Sequence, residues 1–597
     1  MARLRSLIAV VALALAATTL APPTPAGAAS LYQGRFPTEE VFVDQVYRDF
    51  LSRGPDQAGL SYWSNQLRSG VSPAALVEFL LTSPEFEQNT APIVRLYHSI
   101  LDRTPDIDGL RFWVSRTASG IPLADTAEAM LDSAEFEALA NAATTDEVVT
   151  VVYGRSLGRT PDAAGLAYWR GEIDAGRLTL GEFIVVVSES AEHQALLGGE
   201  VTSTLIYVGM LQRVPEPGGL DYWTGLLDDG EPIRNVAGAF LEQPEWQNRF
   251  ATTPTFTVSS IAGFDHPWDV DSLPDGTIIA TERSGRLVAI ADRATATTIT
   301  ADFADLYAQG ETGLMGVAVD PNFTSNRRIY TCQGYRKTGE TSDIRVVAWT
   351  LDAGVTQATK VGPLVTGLPL SSGRHGGCQL EFASDGTLFI GTGDAAVGTT
   401  PQDLSSLGGK TLRVNASDGS PAAGNPFLTS SNPNTRLIYT YGHRNVQGLS
   451  ERPGTSEMWS VEHGPSRDDE INRLVAGGNA GWNPVPGYNE GVSMTNTSLP
   501  NTFSAAYSTG SPTLALSGGE WVTDPAWGAY RNGLAVTALK ASRLQVYFFN
   551  AEGLSLGRSP VLWSGGRMRG VHEAADGSIW VTSDNGNNDT ITVLTPN

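Results

Sequence analysis

Between Thr38 and Phe250 the chain repeats itself. Four tryptophans, Trp63, Trp113, Trp169 and Trp223, follow one another at intervals of 50, 56 and 54 residues. Each is preceded in register by a tyrosine (Tyr47, Tyr97, Tyr153, Tyr207), an arginine (Arg53, Arg103, Arg159, Arg213) and a proline (Pro55, Pro105, Pro161, Pro215). A period of this length restricts the fold to stacked supersecondary units, each burying an apolar face against its neighbours. Within a unit the pattern is helical. Phe42, Val46 and Phe50 recur every fourth residue and share one helix face. Pro55 breaks that helix, Asp56 is placed to cap the next, and Leu60, Trp63 and Leu67 form a second apolar face that Gly70 closes. Ser72-Pro73 has the cap and first-turn signature of a third helix. Four such units predict an all-α region over residues 38–250. Asp106-Ile-Asp108-Gly109 could pass for half a calcium loop. The other units lack the second aspartate, which favours caps and turns. No nucleophile or metal cluster recurs, so the region suits attachment or interaction, with a cell surface or a glycan as the partner.

The period then changes. Residues 251–258 are Thr-rich with Pro254 and read as a linker. From Ser259 onward, Asp275-Gly276-Thr277-Ile278 is echoed by Asp385-Gly386-Thr387-Leu388 and Asp576-Gly577-Ser578-Ile579. Asp-Gly between apolar runs marks a tight hairpin turn. Each precedes a short strand: Ile278 to Thr281, Leu388 to Thr392 and Ile579 to Thr582. Recurring short antiparallel strands predict an all-β propeller over 259–597. Spacing alone does not count its blades. The chain is thus multidomain, α-helical and then β.

Two features bear on location. Arg3 and Arg5, the apolar run Leu7 to Leu20 and the small residues Ala26-Gly-Ala28 make residues 1–29 a secretory signal peptide. The run is shorter than the ~20 residues a membrane span needs, so the mature chain is expected to be secreted or cell-surface associated, with no transmembrane segment. Cys332 and Cys378 are the only cysteines. In an exported chain such a pair suggests one disulfide; the alternative is two isolated buried thiols. Neither has zinc-ligand spacing. A net charge of -24 excludes a nucleic-acid partner, which needs basic surface.

The densest chemistry lies between Tyr441 and Gly487. It begins Tyr441-Gly-His-Arg-Asn-Val-Gln-Gly-Leu449, continues Glu462-His-Gly-Pro-Ser-Arg-Asp-Asp-Glu-Ile-Asn472 and closes Gly477-Gly-Asn-Ala-Gly-Trp482. Glycine lets backbone approach a ligand. Asp468, Asp469 and Glu470 suit a hard cation such as calcium. Arg567-Met568-Arg569 puts two guanidiniums on one face of an extended segment. A histidine, His375, stands in the Gly-rich turn Gly373-Arg-His-Gly-Gly-Cys-Gln-Leu380.

Several of these motifs, in this order from about Phe264 to the C-terminus, resemble the soluble quinoprotein glucose dehydrogenases and aldose sugar dehydrogenases, the glucose/sorbosone dehydrogenase family. The repeat pattern Arg-x-Pro-Asp-x-x-Gly-Leu-x-Tyr-Trp is similar to a bacterial domain family of unassigned function, DUF4214. The first resemblance implies a six-bladed propeller. It also implies pyrroloquinoline quinone (PQQ) and Ca2+ as cofactors, a sugar substrate and an external electron acceptor. Residue by residue, it implies that Arg444 and Asn445 contact the quinone. Lys540, Arg567 and Arg569 would bind its carboxylates, with Pro512 and Thr513 in a flanking loop. Gly464 and Pro465 would hold cofactor-bound calcium, and Glu470 and the Ala480 carbonyl a second calcium beside Asp469. His375 would be the catalytic base, oriented by Asp394, with Arg444 stabilising developing charge. Arg374 stands where soluble glucose dehydrogenases carry an acid and Glu311 where they carry an amide. Both positions lie near the sugar in that family, which puts glucose itself in doubt.

The expected activity is therefore oxidation of an aldose at its anomeric hydroxyl to a lactone. Two other readings stay open. One is a non-catalytic propeller binding protein, which has no need of a cation-lined slot. The other is a calcium-dependent propeller hydrolase, which explains the acids but not the cations.

Overall fold

The computed structural model describes residues 34–133 and 144–597. The expected signal peptide lies outside the described residues. The chain divides into two compact units, Met1–Ala251 and Thr252–Asn597. No helix among the described residues is long and apolar enough to cross a membrane.

The first unit is helical, and its repeated residues have structural work. In the first repeat, helices run Glu39–Leu51, Gln57–Arg68 and Pro73–Leu81. The equivalent second helices are Ile107–Ala118, Ala163–Asp174 and Pro217–Asp228. Asp56, Asp106 and Asp162 cap three of them, each accepting a 2.7 Å bond from the glycine three residues on. A side chain at Gly109 would collide with the Tyr97 hydroxyl, which explains the glycine in the motif. The motif arginines stack on the motif tyrosines, Arg53 on Tyr47 at 5.9 Å and Arg213 on Tyr207 at 5.0 Å. Arg159 is bonded to Glu192 through both Nε and Nη2. Asp106 is a cap, so the half calcium loop resolves into helix geometry.

The second unit is a six-bladed propeller of four-stranded antiparallel sheets. Five blades are consecutive in sequence: 267–299, 314–368, 377–441, 446–508 and 516–558. The sixth takes three strands from 568–596 and closes the ring with Phe256–Asp265, paired antiparallel to Asn587–Pro596. The expected linker is therefore shorter than 251–258, because Phe256 to Val258 already belong to this closing strand. Their partner is the C-terminus, which the local Thr-rich composition does not announce. The three Asp-Gly turns join first to second strands, and each glycine has a left-handed φ of 79–86°. Cys332, in the second strand of blade two, is disulfide-bonded to Cys378 in the first strand of blade three. The bond ties neighbouring blades.

Topology assembles the site. The inner strands are Pro267–Ser272, Leu314–Val319, Gly377–Phe382, Val446–Glu451, Leu516–Trp521 and Met568–Glu573. They surround one axis, and every blade repeats the same up-and-down order, so all six begin at the same end. Residues just before an inner strand, and those between second and third strands, therefore share one mouth. His375, Arg444, Asn445, Thr513 and Arg567 are of the first kind. Asp394, Gly464, Pro465, Lys540 and Asp584 are of the second.

Candidate active site at the propeller mouth

His375 is buried, with a left-handed φ of 52° between Gly373 and Gly377, also left-handed. Such a backbone is uncommon for a side-chain-bearing residue and concentrates at functional sites. Gly393 makes it possible: a Cβ there would overlap the His375 carbonyl. His375 Nδ1 lies 2.8 Å from Asp394 Oδ1. A carboxylate only accepts, so Nδ1 carries the proton and Nε2 keeps its lone pair.

Asp394 is fully buried and saturated. Oδ1 also accepts from the Ala396 N–H at 2.8 Å. Oδ2 accepts from Trp482 Nε1 at 2.9 Å and from the Tyr488 hydroxyl at 2.8 Å. The Tyr488 hydroxyl is also 2.9 Å from His375 Nδ1. Burial, then the Asp394 charge, hold the Tyr488 phenol well above its usual pKa, so it stays a donor.

Arg444 is buried beside this group. Nη1 donates to the His463 carbonyl at 2.8 Å and Nη2 to Glu490 Oε1 at 2.7 Å, while the enclosed Nε has no partner. Its own N–H donates to Glu462, whose other oxygen is 2.8 Å from His443 Nδ1. Arg374 Nη2 stands 3.5 Å from His375 Nε2 and 3.2 Å from Glu490 Oε1. Glu311 Oε2 accepts from the His375 N–H at 2.8 Å, so this side chain fixes the histidine turn. Asn445 Oδ1 accepts from Gly377 N–H at 3.1 Å. His463 is held neutral, down to about 4, by burial, with Arg444, His375 and Arg569 all working against its protonation despite the Asp469 charge.

The remaining cations are unequal. Arg569 is buried over the Trp268 ring at 3.8 Å, bonded to Asp584 at 2.6 Å and Gln447 at 2.9 Å, with its Nε unpartnered. Arg567 is half-exposed, with Nη2 4.0 Å from the same Asp584. Lys540 is exposed, and its ammonium makes no bond among the described residues.

The donor set for calcium divides similarly. Asp469 is already engaged: it accepts from Gly464 N–H at 2.9 Å, Thr513 Oγ1 at 2.6 Å, Leu514 N–H at 2.7 Å and Ala515 N–H at 2.9 Å. It fastens the Pro512–Thr513 loop to the Gly464 turn. Glu470 is less engaged, accepting from Thr495 Oγ1 at 2.6 Å. It is buried directly across from Glu462, and burial followed by that charge raises it to about 8. Among the described residues no hydrogen bond uses the carbonyls of Gly464, Pro465 or Ala480. Unpaired carbonyls with a carboxylate are hard-cation ligands. No three His, Cys, Asp or Glu side chains form a metal cluster among the described residues, so any cation here would rely on backbone oxygen.

Sequence reasoning did not find Tyr488, Glu490 or Asp584. Trp482 and Tyr488 meet Asp394 across 88 and 94 residues. Position in the Gly-rich stretch was the sole signal for Trp482.

Comparison with known proteins assigns each of the two units to a family. The glucose/sorbosone dehydrogenase family model matches residues 264–592, and DUF4214 matches residues 29–90, 88–140 and 127–197. The fourth repeat, outside those matches, has the same helices. Aldose sugar dehydrogenase of Escherichia coli is 29% identical over 331 residues, 54% of this chain and 87% of that one. Quinoprotein glucose dehydrogenase B of Acinetobacter calcoaceticus is 33% identical over 207 residues, 31% of this chain and 42% of that protein. The apo-form structure of the Escherichia coli soluble aldose sugar dehydrogenase superposes with a TM-score of 0.51 at 27% identity, covering 57% of this chain and all of that one. With the family match spanning more than half its length, the chain belongs to the glucose/sorbosone dehydrogenase family.

Proposed function

We propose that the chain is a PQQ-dependent sugar dehydrogenase that oxidises the anomeric hydroxyl of an aldose to a lactone and passes the electrons to an external acceptor. The observation that carries this reading is the His375–Asp394 pair at a cation-lined mouth, with the Nε2 lone pair turned to Arg374 Nη2 at 3.5 Å. Orphaned Nε groups on Arg444 and Arg569, together with the unpaired Lys540, fit a planar polycarboxylate. Arg forks match carboxylates in geometry as well as charge. Asn445, Lys540, Thr513, Arg567 and Arg569 would hold the cofactor. Gly464 and Pro465 would hold the calcium attached to it, and Glu470 and Ala480 a second calcium. PQQ, when bound with calcium, supplies a polarised two-electron acceptor, and the redox chemistry belongs to it.

The protein's own contribution is proton handling and charge placement. His375 Nε2 accepts the anomeric hydroxyl proton. Asp394 then balances the imidazolium at Nδ1, in a geometry it already has. Arg444 presents a preorganised positive charge to the oxyanion that develops as the hydroxyl proton is lost. Tyr488 and Trp482 keep Asp394 from turning.

The signal-like N-terminus and the disulfide support export, since disulfides persist in oxidising compartments. The repeats then serve as the attachment module, for a cell surface or a glycan. The test is titration of purified apoprotein with PQQ, with and without calcium, followed by a panel of aldoses with a dye acceptor. Calcium-dependent binding and turnover are expected. A protein that binds no quinone at any calcium concentration is not this enzyme.

A further inference from the structure

We infer that Arg374 forms a subsite for a carboxylate on the sugar, so that aldoses acidic at the carbon beside the ring oxygen, the uronic acids, are the preferred substrates. This rests on the dehydrogenase reading above and narrows its substrate class.

His375 Nε2 keeps its lone pair because Nδ1 is held by Asp394. A hydroxyl giving up its proton must sit there. The nearest charged group is the Arg374 guanidinium, with Nη2 at 3.5 Å. Its side chain is 50% exposed, and its one anion among the described residues is Glu490 at 3.2 Å. Glu490 lies closer to buried Arg444, at 2.7 Å, so it serves Arg444 first. The pull of Arg444, outweighing burial, keeps its carboxyl below the usual range. The other acid nearby, Glu311, is bonded to the His375 N–H. Arg374 Nε and Nη1 make no bond among the described residues. Both paired edges of the guanidinium include Nη2, so a bidentate carboxylate would take the place of Glu490 there. Its exchange with Glu490 is cheap, because an exposed ion pair contributes little.

Sugar chemistry supplies the match. In a pyranose the anomeric carbon and C5 flank the ring oxygen. A carboxylate on C5 thus lies at the same end of the ring as the anomeric hydroxyl, and on the same face in the β anomer. With that hydroxyl on Nε2, the carboxylate of a uronic acid comes to Arg374, where a bidentate pair can form. A neutral hexose puts a hydroxymethyl group there. The overall charge of -24 opposes anions only at long range, and salt screens it beyond ~10 Å.

The test compares D-glucuronate with its neutral amide, D-glucuronamide, on the full chain loaded with quinone and calcium. Saturation-transfer NMR gives binding and a dye acceptor gives turnover. The expected result is a preference for glucuronate of about ten-fold or more, as one charge-assisted bond provides. The preference should shrink in 0.5 M salt and vanish in Arg374→Gln. Equal handling of acid and amide by the parent protein overturns the subsite, even if the variant does not fold. So does a preference that survives in a folded Arg374→Gln. Turnover of neutral aldoses without any acid preference rejects the subsite and keeps the dehydrogenase. Arg374-dependent glucuronate binding with no turnover of any sugar does the reverse.

Discussion

Asp394→Asn is the most informative single substitution. The native carboxylate accepts four hydrogen bonds, two per oxygen, in a site with no solvent contact. An amide has one accepting and one donating end, so neither orientation fits. If the oxygen faces His375 and Ala396, the NH2 meets the Trp482 N–H, which can only donate. If the amide turns over, the NH2 meets the Ala396 N–H and also draws the His375 proton to Nε2, removing the base. Either way one buried donor is stranded, at a cost of roughly 1–3 kcal/mol. Either way the imidazolium formed in turnover loses its counter-charge. Loss of effective general-base catalysis lowers the rate ~10²–10⁴-fold. The assay is single-turnover reduction of bound quinone by sugar, followed by absorbance, with calorimetry on the same samples. Quinone affinity should be nearly unchanged, because Asp394 touches none of Lys540, Arg567 or Arg569. A folded Asn variant that reduces its quinone at the parental rate refutes the argument, and the proton then leaves by another group. Tyr488→Phe is the graded companion. It removes one of the four donors, and its defect should be smaller in both measurements.

Four further outcomes are expected. Lys540→Ala should weaken quinone binding in titration without moving Tm, because the ammonium has no partner among the described residues. Arg569→Ala should instead destabilise the fold by roughly 3 kcal/mol in denaturant unfolding, because buried Asp584 loses its ion pair; an unchanged midpoint contradicts this. Replacing both Cys332 and Cys378 with alanine opens a bond between residues 46 apart, which the chain-entropy account values at about 4 kcal/mol; an unshifted midpoint argues that the unfolded chain is not the state affected. The fourth concerns the axial channel below the site, where Asp269, Asp271, Glu381 and Glu520 line a cavity of about 200 Å³ with Gln379 and His572. Burial lifts Asp269 to about 7 and Glu381 and Glu520 well above their usual range, with Glu451 and Glu573 adding to the repulsion. Carboxylates with raised native pKa bind more protons folded than unfolded, so their stabilisation is complete below the unfolded value and is lost as pH rises through the folded value, about 7 for Asp269 and raised for Glu381 and Glu520. Burial keeps His572 neutral, which opposes this trend only below its ordinary pKa. In calcium-free buffer the Tm of residues 252–597 should therefore fall between pH 6.5 and 8.5, and less so in Glu381→Gln. A flat or rising profile rules out ionisation in the channel as the cause.

The sequence by itself determined whatever repeats or depends on neighbours along the chain. The helical units were legible because the motif's aspartate, glycine, tyrosine and arginine act within one repeat, as a cap, a close approach and a stack. The Asp-Gly turns were legible because a left-handed glycine is a local requirement. The His375 motif stood out through its resemblance to a family pattern, and the structure adds that its left-handed turn is flanked by left-handed Gly373 and Gly377. Tertiary structure alone decided what joins distant segments. The closing strand at Phe256 has its partner at Pro596, so its Thr-rich sequence carries no sign of pairing. Asp469 and Glu470 are adjacent acids that composition cannot tell apart. In the fold one is spent on backbone donors of a loop over forty residues away, and the other is left against Glu462. Arg567 and Arg569 look equivalent until one is found stacked on Trp268 and the other turned toward solvent. Tyr488 and Glu490 reach His375, Asp394 and Arg444 only because a propeller brings the loops of every blade to one mouth. Periodicity records which residues share a face; it holds no record of which loops meet across an axis.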